Sequence, residues 1–180
     1  MIPRYARKDM SRIWSPENRY QTWLDIELLA CEAMAGLGQI PEEALRTIQQ
    51  RAGFDLARIE EIEAVTKHDV IAFVSNVAEH VGEDGRYIHL GLTSSDILDT
   101  SLAVLLKAAS QILLDDMDSL LQVLKNQAMA HKNTLMIGRS HGIHAEPVTF
   151  GLKMALWFQE MVRNRERLVR AREAISVGKI

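Results

Sequence analysis

Apolar residues along most of this chain recur every three or four positions, the period of a helix that buries one face. In "WSPENRYQTWLDIELLACEAMAGLG" the positions Tyr20, Trp23, Leu24, Glu27, Leu28, Cys31 and Met34 follow that period. Ser15 supplies an N-cap, Pro16 fits the first helical position, and Gly36 or Gly38 ends the run. Pro41 starts a short helix through Arg51, with Glu42 and Glu43 favourably placed in its first turn. Asp55 caps a helix from Leu56 to Val65, "KHDVIAFVSNVAEHVG" continues as helix to Gly82, and "GEDGR" reads as a turn. No run alternates with period two, so no sheet of importance is expected.

Two longer runs follow. Residues 94–132 hold no Gly or Pro, and a second run starts at Pro147 with only Gly151 weakening its beginning. The first, at a rise of about 1.5 Å per residue, would be about 60 Å long. A compact chain of this length is only roughly 40 Å across. Ile97 to Ala109 is apolar almost all round, with only Asp99 and Lys107 charged, the pattern of a helix buried on every side. The chain is therefore expected to be all-α and elongated, with its long helices packed against other copies. Residues 1–92 would form a small N-terminal helical domain, and 93–180 the first part of a long-helix bundle.

Composition narrows this little further. An apolar fraction of 47% and a charged fraction of 25% are those of an ordinary soluble globular protein. A net charge of −3 gives no electrostatic reason to expect nucleic acid or an anionic membrane as partner. One cysteine, Cys31, excludes an internal disulfide framework and a Cys-rich metal site, which points to an intracellular setting. The N-terminus has no apolar signal region, and no uninterrupted apolar run approaches the roughly 18 residues of a membrane span. A cytoplasmic protein is the expectation.

Polar clusters sit at the breaks between helices. "PRY", residues 3–5, lies in an N-terminal arm, and "TKHDV", residues 66–70, lies at a helix start. In "HLGLTSSD", residues 89–96, the N–H groups of a helix start and the hydroxyls of Thr93, Ser94 and Ser95 suit a carboxylate or phosphate. A plain Ser/Asp helix cap explains part of the same pattern. His68 is either structural or proton-handling, while His80 and His131 read as solvent-facing.

The segment "GRSHGIHAEPVTFG", residues 138–151, matches neither flanking helix. His141 and His144 with Glu146 hint at a metal site, but zinc sites of this kind use His-x-x-x-His on a helix, and this segment is not helical. Ser140 beside His141 lacks the strand–turn–helix elbow of a nucleophilic serine. Histidine acting as a general acid or base fits better, because imidazole exchanges protons near neutrality.

Together "IPRYARKDMSRIWSPENR", "TKHDVIAF", "GLTSSDILDT" and "GRSHGIHAEPVTFGLKMALW" closely resemble the adenylosuccinate lyase family of the fumarase/aspartase superfamily, along essentially the whole chain. The resemblance implies homotetramers built round a twenty-helix bundle, with each active site drawn from three subunits and no metal or organic cofactor. It implies elimination of fumarate from the nucleotides adenylosuccinate, giving AMP, and SAICAR, giving AICAR. It makes His141 the general acid, with Ser140 and the Thr93–Ser94–Ser95 turn contacting substrate carboxylates. Arg4 and Tyr5 match the phosphate-binding pair, and Lys67, His68 and Asp69 match the second histidine motif, where His68 assists binding or proton transfer. Many relatives carry Arg at the position of Lys67, which keeps the charge but loses the planar fork. His89 would line the nucleotide site, and His144 and Glu146 would orient the loop.

One departure matters. The family's general base is a serine in a motif of the type G-S-S-x-M-P-x-K-x-N, and none of the 180 residues matches it. The chain is therefore expected to be an N-terminal portion, inactive alone, with the acid but not the base. Two other readings stand beside this one. The first is a non-catalytic helical oligomerisation or nucleotide-binding module. The second is a related lyase such as a carboxymuconate cycloisomerase, for which the Arg4–Tyr5 pair has no use.

Overall fold

In the computed structural model, which describes residues 2–179, a 3-10 turn (Pro3–Tyr5) and a short helix α1 (Lys8–Ile13) precede α2 (Pro16–Gly36). The corner before α2 is closed by side chains: the Ser15 hydroxyl accepts the Asn18 amide at 3.2 Å, and Asn18 Nδ2 donates to the Ile13 carbonyl at 2.9 Å. These bonds satisfy donors and acceptors that helix ends leave open. Then follow α3 (Glu42–Arg51), α4 (Leu56–Thr66), α5 (Asp69–Val81), a second 3-10 helix (Glu83–Tyr87) where a turn was expected, and α6 (Ser94–Ala130). A two-stranded antiparallel hairpin, β1 (Leu135–Ser140) and β2 (Ile143–Thr149), leads into α7 (Phe150–Ile175).

The chain divides into two compact units, Met1–Leu106 with Ser176–Ile180, and Lys107–Ile175. Met1 and Ile180, the outermost residues of the two expected domains, lie outside the described residues. The first unit has its own core, in which Tyr20, Trp23, Ile48, Ile59, Phe73 and Val77 are buried. Trp23 and Phe73 meet edge-to-face at 5.4 Å, and Tyr20 stacks on Phe73 at 5.6 Å. Fully burying each such ring contributes about 1.5–3 kcal/mol, and each aromatic pair about 0.5–1.5 kcal/mol more. Asp55 caps α4 by accepting the Arg58 amide at 2.8 Å, and its own amide donates to the buried Asn76 on α5 at 2.8 Å. That bond fixes the start of α4 on α5.

The all-α expectation holds, with one small hairpin in the second unit as its only sheet among the described residues. The start of α7 is a correction: it begins at Phe150 because Pro147 lies in β2, opposite Ile137. The hairpin escapes a period-two test because residues 139–147 are exposed on both faces. Its register shifts between Ile137 and Arg139, so that two residues of β2 lie against Gly138. A Cβ at Gly138 would stand 2.6 Å from the Glu146 carbonyl oxygen, so a glycine is required there. Gly151 answers to the same constraint. Its Cβ would lie 2.5 Å from the Ala128 carbonyl oxygen and 2.6 Å from Lys132 Cα, where α7 starts against the end of α6.

Arg165 on α7 grips both carboxylate oxygens of Asp118 on α6. Met154, Leu114 and Leu124 are buried, whereas Leu113, Leu120, Val123, Leu152, Leu156 and Trp157 are exposed. Leu102 and Val104, within the stretch expected to be buried all round, are also exposed. Among the described residues α6 alone is long and apolar enough to cross a membrane by length and composition, a test that the core helix of a helical bundle also passes.

Candidate active site

In the first unit, Arg4 and Tyr5 lie exposed on the opening 3-10 turn. The Arg4 guanidinium donates to the Tyr5 hydroxyl at 2.9 Å and sits 4.8 Å from the centre of its ring. That pairing holds a guanidinium and a phenol together at the surface.

The second cluster is created by the break between α4 and α5. Lys67 ends α4 in the left-handed region (φ 55°), which turns the chain so that His68 becomes the N-cap of α5. His68 Nδ1 accepts the Ile71 amide at 3.4 Å, leaving Nε2–H as the donor of the neutral ring. Asp69 Oδ1 accepts its neighbour Val70's amide at 2.8 Å and is 3.6 Å from His68 Nδ1, too far for a hydrogen bond.

The third cluster surrounds the start of α6. Thr93 occupies the cap position, and Asp96, three residues on, accepts the Thr93 amide at 2.8 Å. The Asp96 amide in turn donates to the Thr93 backbone carbonyl at 2.9 Å, so only the acid half of a capping box is made. Asp96 is buried, and its other oxygen accepts from Lys179 Nζ at 2.8 Å. The Lys179 hydrogen bond, then the Thr93 amide, hold the Asp96 carboxyl below the usual range. Ordinary capping thus accounts for Asp96 but not for the Thr93 hydroxyl, which makes no hydrogen bond among the described residues. The hydroxyls of Ser94 and Ser95 make no hydrogen bond among the described residues, and the first amides of α6 carry the positive end of a helix dipole. A cavity of about 410 Å³ opens beside Asp96, but its walls are largely Ile26, Leu29, Ala33, Leu92 and Ile97. Such walls do not suit a phosphate.

His89 precedes this turn with a positive φ of 66°, and it has a partner no sequence pattern announced. Glu27 on α2, 1% exposed, accepts the His89 backbone amide through Oε2 at 3.0 Å and His89 Nδ1–H through Oε1 at 2.6 Å. The hydrogen bond to Glu27 raises the His89 pKa above its ordinary value, against burial, which lowers it. The charges of Glu27 and Asp96 add to the rise. One turn along α2, burial and then Glu27's charge push the Cys31 thiol up to about 11. The signal that could have found Glu27 is a carboxylate at a position of the buried stripe of α2.

The second unit holds Ser140 and His141. His141 and Gly142 form the two-residue tip of the hairpin, with φ of 54° and 77°. Positive φ at both positions is the signature of a type I′ turn, which favours Asn-Gly. A histidine there tolerates a backbone its side chain does not favour, and its ring stands exposed at the tip. Neither its side chain nor that of Ser140 hydrogen-bonds to another described residue. His144 and Glu146 are exposed and likewise make no side-chain bond, so neither orients the loop in this chain. His80 is exposed, as expected, and His131 packs edge-to-face on Phe150 at 5.1 Å. Among the described residues no three His, Cys, Asp or Glu side chains are placed to hold a metal ion.

Residues 4–180 match the protein family described as Lyase. The chain belongs to that family. It is 53% identical over 180 residues to the adenylosuccinate lyase of Bacillus subtilis (strain 168), and 54% identical over 180 residues to that of a Synechocystis species. Both alignments cover 100% of this chain and 42% of the relative, an N-terminal portion of it. Among solved structures the family fold recurs in the fumarate lyase of Mesorhizobium sp. BNC1, with a TM-score of 0.91 and 28% identity. It also recurs in the 3-carboxy-cis,cis-muconate lactonizing enzyme of Pseudomonas putida, with a TM-score of 0.90 and 30% identity. Each structural match covers 98% of this chain and 42% of the other.

Proposed function

We propose that this chain is the N-terminal portion of a cytoplasmic, homotetrameric adenylosuccinate lyase, which eliminates fumarate from adenylosuccinate and SAICAR without metal or organic cofactor. The observation that carries the reading is the match of the entire chain, at 53% identity, to an adenylosuccinate lyase. The geometry supports it. His141 is exposed on a hairpin tip whose backbone disfavours histidine, which is understandable if the ring is needed for chemistry.

In this reading a base supplied from outside these 180 residues takes the proton from the carbon beside a substrate carboxylate. The electron pair spreads onto that carboxylate, where the amides at the start of α6 and the hydroxyls of Ser94, Ser95 and Ser140 stabilise it. As the C–N bond breaks, His141 donates a proton to the departing nitrogen, so that it leaves as a neutral amine. Thr93 shapes the turn by donating its amide to Asp96, and its hydroxyl contacts a substrate carboxylate. Arg4 and Tyr5 hold the phosphate, with Arg giving two parallel donors. Lys67, His68 and Asp69 bind the substrate, with His68 Nε2–H as a donor, and His89 lines the nucleotide site. The exposed apolar faces of α6 and α7 are covered by other subunits.

The likeness to the lactonizing enzyme favours a second reading, a carboxymuconate cycloisomerase. The paired Arg4 and Tyr5 weigh against it, since that substrate carries no phosphate. The test is fumarate release from adenylosuccinate by this chain continued through the remainder of the relatives' length. Release there, none from the 180-residue chain alone, and no lactone formed from carboxymuconate are expected. Turnover of carboxymuconate instead would overturn the assignment.

A further inference from the structure

We infer that Glu27 is a positioning residue for the proposed lyase: its buried carboxylate locks the His89 ring by Nδ1, so that the ring offers Nε2 to the anionic nucleotide. The inference rests on the function proposed above. It names a residue that none of the recognisable motifs contains.

Three observations converge. A carboxylate 1% exposed among the apolar residues of α2 is costly unless it is paired, and packing alone would be better served by leucine or methionine. Glu27 spends both oxygens on one residue, His89, taking its backbone amide and its ring Nδ1–H. His89 in turn keeps a positive φ that glycine or asparagine would adopt with less strain, so its side chain is what the site retains. The remaining ring nitrogen, Nε2, has no hydrogen-bond partner among the described residues.

The tautomer makes this consequential. With Nδ1–H committed to Glu27, the neutral ring presents Nε2 as an acceptor, and only the imidazolium presents Nε2–H as a donor. An anionic ligand needs the donor. The charged groups around the ring are Glu27 on α2 and Asp96 on α6, whose charge is met by Lys179, while the Cys31 thiol one turn along α2 stays neutral. The balance raises the His89 pKa, so the donor form persists to higher pH than in a free histidine.

The test compares wild type with Glu27→Gln in the longer enzyme, measuring kcat and KM for adenylosuccinate against pH. The rise of KM with pH should begin at lower pH in E27Q than in wild type, giving a several-fold higher KM between the two midpoints with kcat little changed. In a His89→Gln background E27Q should add nothing. A KM profile that only scales, with its midpoint unmoved, would overturn the inference. Should E27Q fail to fold, ¹⁵N NMR of wild type, with His89 assigned from the H89Q difference, decides: a neutral ring protonated on Nδ1 is expected. An Nε2–H neutral tautomer would overturn the inference. Wild type inactive on adenylosuccinate would sink the functional reading, while the NMR result would still judge the Glu27–His89 lock.

Discussion

Replacing Gly151 by alanine tests how the base of the His141 hairpin is held. The added Cβ would stand 2.5 Å from the Ala128 carbonyl oxygen and 2.6 Å from both Lys132 Cα and Lys132 N. Ordinary contact needs about 3.5 Å, so α7 must part from the end of α6 by about 1 Å. All three obstacles are backbone, so no side chain can swing aside. The same movement stretches the bonds from the Gly151 amide to the His131 carbonyl and from the Phe150 amide to the Thr134 carbonyl, both 2.9 Å. Overpacking costs about 1–3 kcal/mol where side chains can yield, and here about 3 kcal/mol or more is expected. In urea, with a slope of about 1–3 kcal/mol per molar, the unfolding midpoint should fall by roughly 1–3 M. In the longer enzyme, displacing His141 by about 1 Å should cost about 10²-fold in turnover. Gly142→Ala is the control: its Cβ meets nothing within 4 Å, and only its φ of 77° opposes it. That change should cost about 1 kcal/mol. If G151A unfolds at the same urea concentration as wild type, the reasoning about this crossing is wrong.

Other predictions follow from single residues. His141→Asn converts the tip to the Asn-Gly pair that type I′ turns favour, so thermal melting should be unchanged or raised, by up to about 0.5–1 kcal/mol of stability. In the longer enzyme the same variant should lower steady-state fumarate release by about 10²–10⁴-fold. Because the folded-state pKa of His89 is raised above 6.5, its contribution to stability is complete below that pH and is lost as pH rises through the folded value. Denaturation measured across this range should show the loss in wild type and much less of it in E27Q. Cys31, buried and with its thiol pushed up to about 11, should react slowly with a thiol reagent at about pH 8 and quickly once urea unfolds the chain.

The helices of this chain were legible because each carries its own punctuation. Ser15–Pro16, Pro41, Asp55 and the Gly-free run from Ser94 mark boundaries that the structure places within a few residues. The hairpin was not legible, since a strand is recognised by one buried face and this one has none around its tip. His141–Gly142 also lies outside the usual vocabulary of two-residue turns. Pro147 misled because a proline after a polar loop reads equally as a helix start or as a residue of a two-stranded ribbon. In the candidate site, Arg4, His68, Thr93 and His141 could be singled out from local sequence, because each belongs to a short motif. The Glu27–His89 lock could not, because its partners are 62 residues apart and periodicity assigns Glu27 only to a buried face. Gly151 looked like a weakness in a helix. It is where two backbones meet.

The most direct measurement of the central claim is fumarate release from adenylosuccinate by this chain continued with the remainder of the Bacillus subtilis relative, with and without His141→Gln. The account predicts turnover in the first, and about 10²–10⁴-fold less in the second at equal folding and assembly. Equal turnover in the two would contradict the assignment of His141 as the proton donor.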